Sequence, residues 1–210
     1  MALYLTAAVI AVVVIVYLVI HVATGGSNKG ASGSSTPSTG ASTAANGSGY
    51  VLTQAAAVGN YPLNKQATKE YTPVAENQAA PVAAEIKAKG AGKPGKSVVG
   101  IYNLTSVTSI SSSAYKGIAF VGYDGTFNPK AVIKFERTQL QSSRVVSAGA
   151  HGGEMVCGYN SSGASEASEC VWATKTTFGQ VEFIAYGVPV KYPGASKLAL
   201  EVRDAVEVHP

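Results

Sequence analysis

The chain has 210 residues, with 16 Lys and Arg against 12 Asp and Glu, a formal net charge of +4 and a mean hydropathy of +0.16. Charged residues make up only 13% of it, about half the roughly 25% of ordinary soluble domains. The densest basic run, Lys87, Lys89, Lys93 and Lys96 in KAKGAGKPGK, carries no interleaved aromatic residue, so nothing in the composition supports nucleic-acid binding; the run reads as a solvated, flexible loop.

Leu3 to Ala23 is an unbroken apolar run without Asp, Glu, Lys or Arg. As a helix it would span roughly 30 Å, the thickness of a bilayer's hydrocarbon core. A cleaved signal peptide has a basic n-region and a shorter apolar stretch. Here no Lys or Arg precedes the run, which favours a retained signal-anchor over residues 1–24. The first cysteine is Cys157, so no lipid-anchoring cysteine follows the run. Flanking charge orients the segment weakly, since only Lys29 lies close on the C-terminal side.

Residues 25–50 are rich in Gly, Ser, Thr and Ala and are expected to be a disordered linker that bears no core. At about 5–6 Å times the square root of its length, such a linker holds its cargo roughly 30 Å from the anchor. Its composition resembles an extracytoplasmic stalk. Together with a cysteine pair placed for a disulfide, it puts residues 51–210 outside the cytoplasm.

Within 51–210 the expected class is α+β. Residues 51–78 read as a leading segment with a short helical turn near Gln54 to Val58. Residues 79–89 suit a helix that starts near Pro81 and stops at Gly90. Val98 to Asn103 and Gly117 to Tyr123 read as strands, with a Ser/Thr-rich loop or weak strand over 104–116 and a turn at Asp124-Gly125. Asn128-Pro129 is a helix start leading into AVIKFERTQL. Glu154 to Tyr159, Glu169 to Thr174 and Gln180 to Tyr186 form three strand-like runs, expected as an antiparallel meander. Ala195, Leu198, Ala199, Val202, Ala205 and Val206 make a helical apolar stripe, with Lys197, Glu201, Arg203, Asp204 and Glu207 on the other side. This closing helix is expected to pack on one face of the sheet.

Cys157 and Cys170 lie on the first two strands of the meander. A structural disulfide is the simplest reading. A metal site would need more ligands than His151, and zinc-finger spacing is absent. The third reading is a Cys157 nucleophile assisted by His151, with Glu154 orienting the ring, in HGGEMVC. Against it, Gly149, Gly152 and Gly153 read as a tight turn with His151 exposed on it. Trp172 reads as a core aromatic packed on the disulfide. His151, Glu154 and Trp172 are therefore the candidate ligand contacts; no catalytic, cofactor or metal residue is assigned.

The blocks HGGEMVCGY, CVWATKTTFGQVEF and LALEVRDAVE resemble a largely uncharacterised actinomycete family of membrane-anchored extracytoplasmic proteins. The matching positions are Gly152, Gly153, Cys157, Cys170, Trp172, Ala173, Thr177, Gly179 and Arg203, and Thr174 stands where that family has Asp. The resemblance implies an anchored extracytoplasmic domain with a Cys–Cys bridge, and no activity. The leading expectation is a single-pass protein that contacts the bilayer through residues 3–23 and an envelope polymer or protein through its domain. The alternatives are an extracytoplasmic enzyme using His151 and Cys157, and a pilus or secretion-system subunit. The last lacks a leader-peptidase Gly before the run and an acidic residue near its start.

Overall fold

The computed structural model describes residues 49–103, 116–162, 165–185 and 194–210. The expected anchor, most of the linker and most of the 104–116 loop lie outside them. Among the described residues no helix is long and apolar enough to cross a membrane.

The chain enters through three two-residue strands, β1 (Val51–Leu52), β2 (Ala57–Val58) and β3 (Tyr61–Pro62). The turn of helix expected near Gln54 is therefore absent; Ala57 and Val58 pair with Tyr61 and Pro62 instead. Helix α1 spans Lys65–Ala88, far longer than the expected 79–89. Asn64 starts it, its side chain accepting from Ala67 N at 2.9 Å. Gly90, with φ +65°, closes it as expected. Pro73 and Pro81 both lie inside the helix, where each removes a hydrogen bond and costs about 3 kcal/mol in an isolated helix. Burial of Thr68, Ala75, Ala79 and Ile86 on one stripe against the sheet offsets that cost.

Strands β4 (Gly92–Asn103) and β5 (Lys116–Phe127) follow, then α2 (Pro129–Glu136), β6 (Gln141–Val146), β7 (Glu154–Ser162), β8 (Ser165–Ala173), β9 (Thr177–Ala185), α3 (Gly194–Val206) and β10 (Glu207–Val208). The basic run is no loop: Lys87 lies in the last turn of α1, Lys89 caps it, and Lys93 and Lys96 lie on β4. Nor is Asp124-Gly125 a turn. Because β5 is flanked on both sides, Asp124 pairs with Thr177 and Gly125 with Pro94 inside the ladders. Helix α2 begins as expected, Asn128 accepting from Ala131 N at 3.2 Å, but ends four residues early and gives way to an unforeseen edge strand, β6.

The six long strands form one antiparallel sheet in the order β4-β5-β9-β8-β7-β6. The β7-β8-β9 meander stands as expected. Side-chain alternation sorts the sheet into two faces. Ile118, Phe120, Met155, Cys157, Cys170, Trp172, Val181 and Phe183 face α3 and the β1–β2 segment. Tyr123, Phe127, Val156, Val171, Ala173 and Phe178 face α1 and α2. The closing helix packs on one face as expected, and the opposite face is covered too.

Cys157 and Cys170 are directly opposed on β7 and β8 and form a disulfide, with both residues fully buried. On the same face of the sheet β1 pairs with β10, joining Leu52 to Glu207 and Val51 to Val208.

Candidate functional site

The turn before β7 needs its glycines. Gly149, Gly152 and Gly153 all have φ between +69° and +83°, and a Cβ on Gly153 would lie 2.3 Å from the Ala173 carbonyl oxygen. This turn delivers His151 inward. Far from standing exposed on the turn, the imidazole is 17% exposed and shares a 3.0 Å hydrogen bond between Nδ1 and Glu207 Oε2.

Glu207 is the centre of the arrangement. Its Oε2 also accepts from Arg203 Nε at 2.7 Å, and its Oε1 accepts from Trp172 Nε1 at 2.8 Å and from the Thr177 hydroxyl. Four donors from four elements thus converge on one buried carboxylate, which satisfies the charge that burial would otherwise penalise. Arg203 is wholly buried as well, and its Nη1 donates to the Ala148 carbonyl. The expectation that Arg203 and Glu207 lie on the solvent side of the last helix is therefore wrong. Arg203 sits between Ala199 and Val206 at spacings of four and three, on the apolar stripe itself.

The network reaches outward on two sides. His151 Nε2 lies 3.6 Å from Asp204 Oδ1, and the imidazole stacks on Tyr50 at 4.3 Å between centroids. His209 packs against Tyr50 at 4.1 Å. Inward, Thr177 gives its proton to Glu207, so Thr174, 2.8 Å away, donates to Thr177. The Thr174 oxygen accepts from the Thr176 and Thr177 amides at 3.1 and 2.9 Å. Thr174 thus supplies an acceptor to the β8–β9 turn, as an aspartate there would.

The three candidate contacts separate. His151 and Trp172 meet on Glu207, but the Trp172 indole is fully buried and stacks on Phe120 at 5.7 Å. Cys157 is sealed in the disulfide and offers no thiolate. Glu154 points to the opposite face of the sheet, into an open groove of about 530 Å³ between α2, β6 and the start of β7. Lys130, Ile133, Lys134 and Arg137 form the helix wall, and Thr138, Ser143 and Val145 complete the lining. The sequence held one signal for this groove, the i, i+4, i+7 spacing of three cations after Asn128-Pro129.

A third polar group lies under α1. Glu169 and Glu182 oppose each other on β8 and β9, and Gln180 Nε2 donates to Glu169 Oε1 at 2.8 Å. Burial pushes the Glu182 carboxyl up to about 7. Burial, and then the Glu182 and Glu169 charges, raise the Tyr71 hydroxyl above the usual phenol range. Among the described residues no group of His, Cys, Asp and Glu has the arrangement of a metal site. No protein-family model, no curated protein and no solved structure matches this chain.

Proposed function

We propose that this chain is a single-pass membrane protein whose disulfide-stapled domain stands outside the cytoplasm and binds a component of the cell envelope. The observation that carries the reading is the buried Cys157–Cys170 bridge, a bond that persists in oxidising compartments, downstream of the apolar run Leu3 to Ala23. Binding is favoured over catalysis by how the reactive side chains are used. Cys157 is oxidised and buried, the Glu207 carboxylate receives four internal donors, and His151 is held between Glu207, Asp204 and Tyr50. The disulfide leaves Cys157 no thiolate for nucleophilic attack, and the Glu207 carboxylate is occupied by donors from within the domain.

Fractionation and thiol labelling of intact cells test this together. The expected result is a protein that stays with the membrane through an alkaline wash, is degraded by protease added outside, and reacts with a thiol probe only after unfolding in reductant. Recovery in the soluble fraction, or labelling of Cys157 and Cys170 without reductant, refutes it.

A further inference from the structure

The groove on the α2 face has a chemistry that the buried network lacks. Lys130 and Lys134 on α2 and Arg137 at its C-cap, in helical conformation, recur at i, i+4 and i+7, so they project on one side over about 10 Å. None of the three makes an ion pair with any described residue. Glu154, on the opposite wall, pairs with none of them either. Three cations and one carboxylate leave the groove with a net charge of +2, so it attracts anions.

The remaining lining asks for more than charge. The Ser143 hydroxyl donates to the Arg137 carbonyl at 3.1 Å, and the Thr138 hydroxyl to the Phe135 carbonyl at 2.7 Å. Their protons are thus used, and their oxygens are left as acceptors: Thr138 takes one bond from Gln139 Nε2 at 3.1 Å, and Ser143 keeps both lone pairs. Glu154 is a third acceptor. Between them lies Val145, 50% exposed, one of two large apolar side chains so exposed among the described residues. A ligand that satisfies this surface brings negative groups for the cations, O–H donors for the acceptors and a C–H face for Val145 and Ile133.

The geometry points to an acidic glycan, a chain of sugar or polyol units carrying carboxylate or phosphodiester charge, as the ligand of the groove formed by Lys130, Lys134, Arg137, Ser143, Val145 and Glu154. A volume of about 530 Å³ lies within the roughly 300–1,000 Å³ of ligand sites, and the open shape lets a polymer run through. This assignment rests on the envelope-binding reading and gives its partner a chemical class.

The test is titration of the full-length protein, in neutral detergent micelles, with hexagalacturonate and with a glycerol phosphate hexamer. Hexaglutamate supplies charge without hydroxyls, and maltohexaose supplies hydroxyls without charge. Binding by either acidic polyol, at least about ten-fold tighter than by both controls and lost in about 1 M salt, is the expected result; which of the two binds identifies the source of the charge. K134E/R137E abolishes binding. E154Q keeps an acceptor, removes a like charge and tightens binding about two- to five-fold, a gain that misfolding cannot produce. Equal binding of hexaglutamate or maltohexaose, indifference to both variants, or binding only to vesicles of anionic lipid overturns the assignment. Because the ligands are added to purified protein, that failure leaves the membrane topology untouched, and a failed fractionation leaves the groove untouched.

Discussion

Glu136 should make this domain less stable as pH rises through neutrality. It lies in the last turn of α2, 5% exposed, and its Oε1 has no hydrogen-bond partner among the described residues. Burial first, and the Glu85 charge second, push its carboxyl from 4.5 up to about 8; the negative end of the α2 dipole acts in the same direction. Below about 4.5 the folded and unfolded chains both hold this proton, so the group is neutral to stability. As pH rises from there, the unfolded chain releases the proton while the folded chain keeps it, and stability falls until about pH 8. At about 1.4 kcal/mol per pH unit, the loss between about pH 5 and pH 8 is roughly 3–4 kcal/mol. Glu182, half-buried and raised to about 7, adds a smaller loss of the same sign. Glu136→Gln preserves the shape and removes the ionisation. Urea unfolding of both proteins, followed by Trp172 emission, should show E136Q more stable by roughly 3–4 kcal/mol at about pH 8 and nearly equal at about pH 5. Parallel pH profiles would mean that Glu136 is solvated or partnered, and the reasoning would fail.

The other expectations concern the buried network and the sheet. Glu207→Ala strands the Arg203 guanidinium without its counter-ion and should cost about 3–5 kcal/mol. The double variant R203M/E207Q should cost clearly less than the sum of its singles, and additive denaturation energies would refute the coupling. Breaking the disulfide with C157A/C170A, whose cysteines are 13 residues apart, should lower unfolding free energy by about 3 kcal/mol; an unchanged urea midpoint would count against it. Gly179→Ala places a Cβ 2.2 Å from Trp172 Cζ2. It should cost roughly 1–3 kcal/mol and shift the emission of this sole tryptophan to the red.

Legibility in the sequence followed the strength of local pattern. The β7-β8-β9 runs combine β-branched and aromatic residues with polar breaks, and α3 has an apolar stripe; both were readable. Asn128-Pro129 announced α2 through capping chemistry alone. Helix α1 is hidden because KQATKEYTPVAENQAAP is polar and carries two prolines, Pro73 and Pro81; packing on the sheet, which no local window contains, overrides them. Arg203 was misplaced for a different reason. Its spacing put it on the apolar stripe, but its charge argued for solvent, and the counter-charge that permits burial lies on Glu207, just past the end of the helix. His151 lies near a cysteine in the sequence, yet its partners come from residues 50, 204 and 207, more than 50 residues away along the chain. Glu154 stands three residues from His151, but the glycine turn carries His151 to Glu207 while the alternation of β7 puts Glu154 on the opposite face.

The β1–β10 pairing gives the domain a back and a front. Tyr50 and Val208 are neighbours on the face covered by α3, where Thr176 Oγ1 donates to the Tyr50 carbonyl at 2.9 Å and Asp124 accepts from Leu52 N at 2.7 Å. The groove lies on the other side of the sheet. A load applied at either flank of the domain enters at this one corner and peels a two-residue ladder before it reaches the six long strands. Tyr50 and His209 therefore sit together on the sheet face opposite the cationic groove.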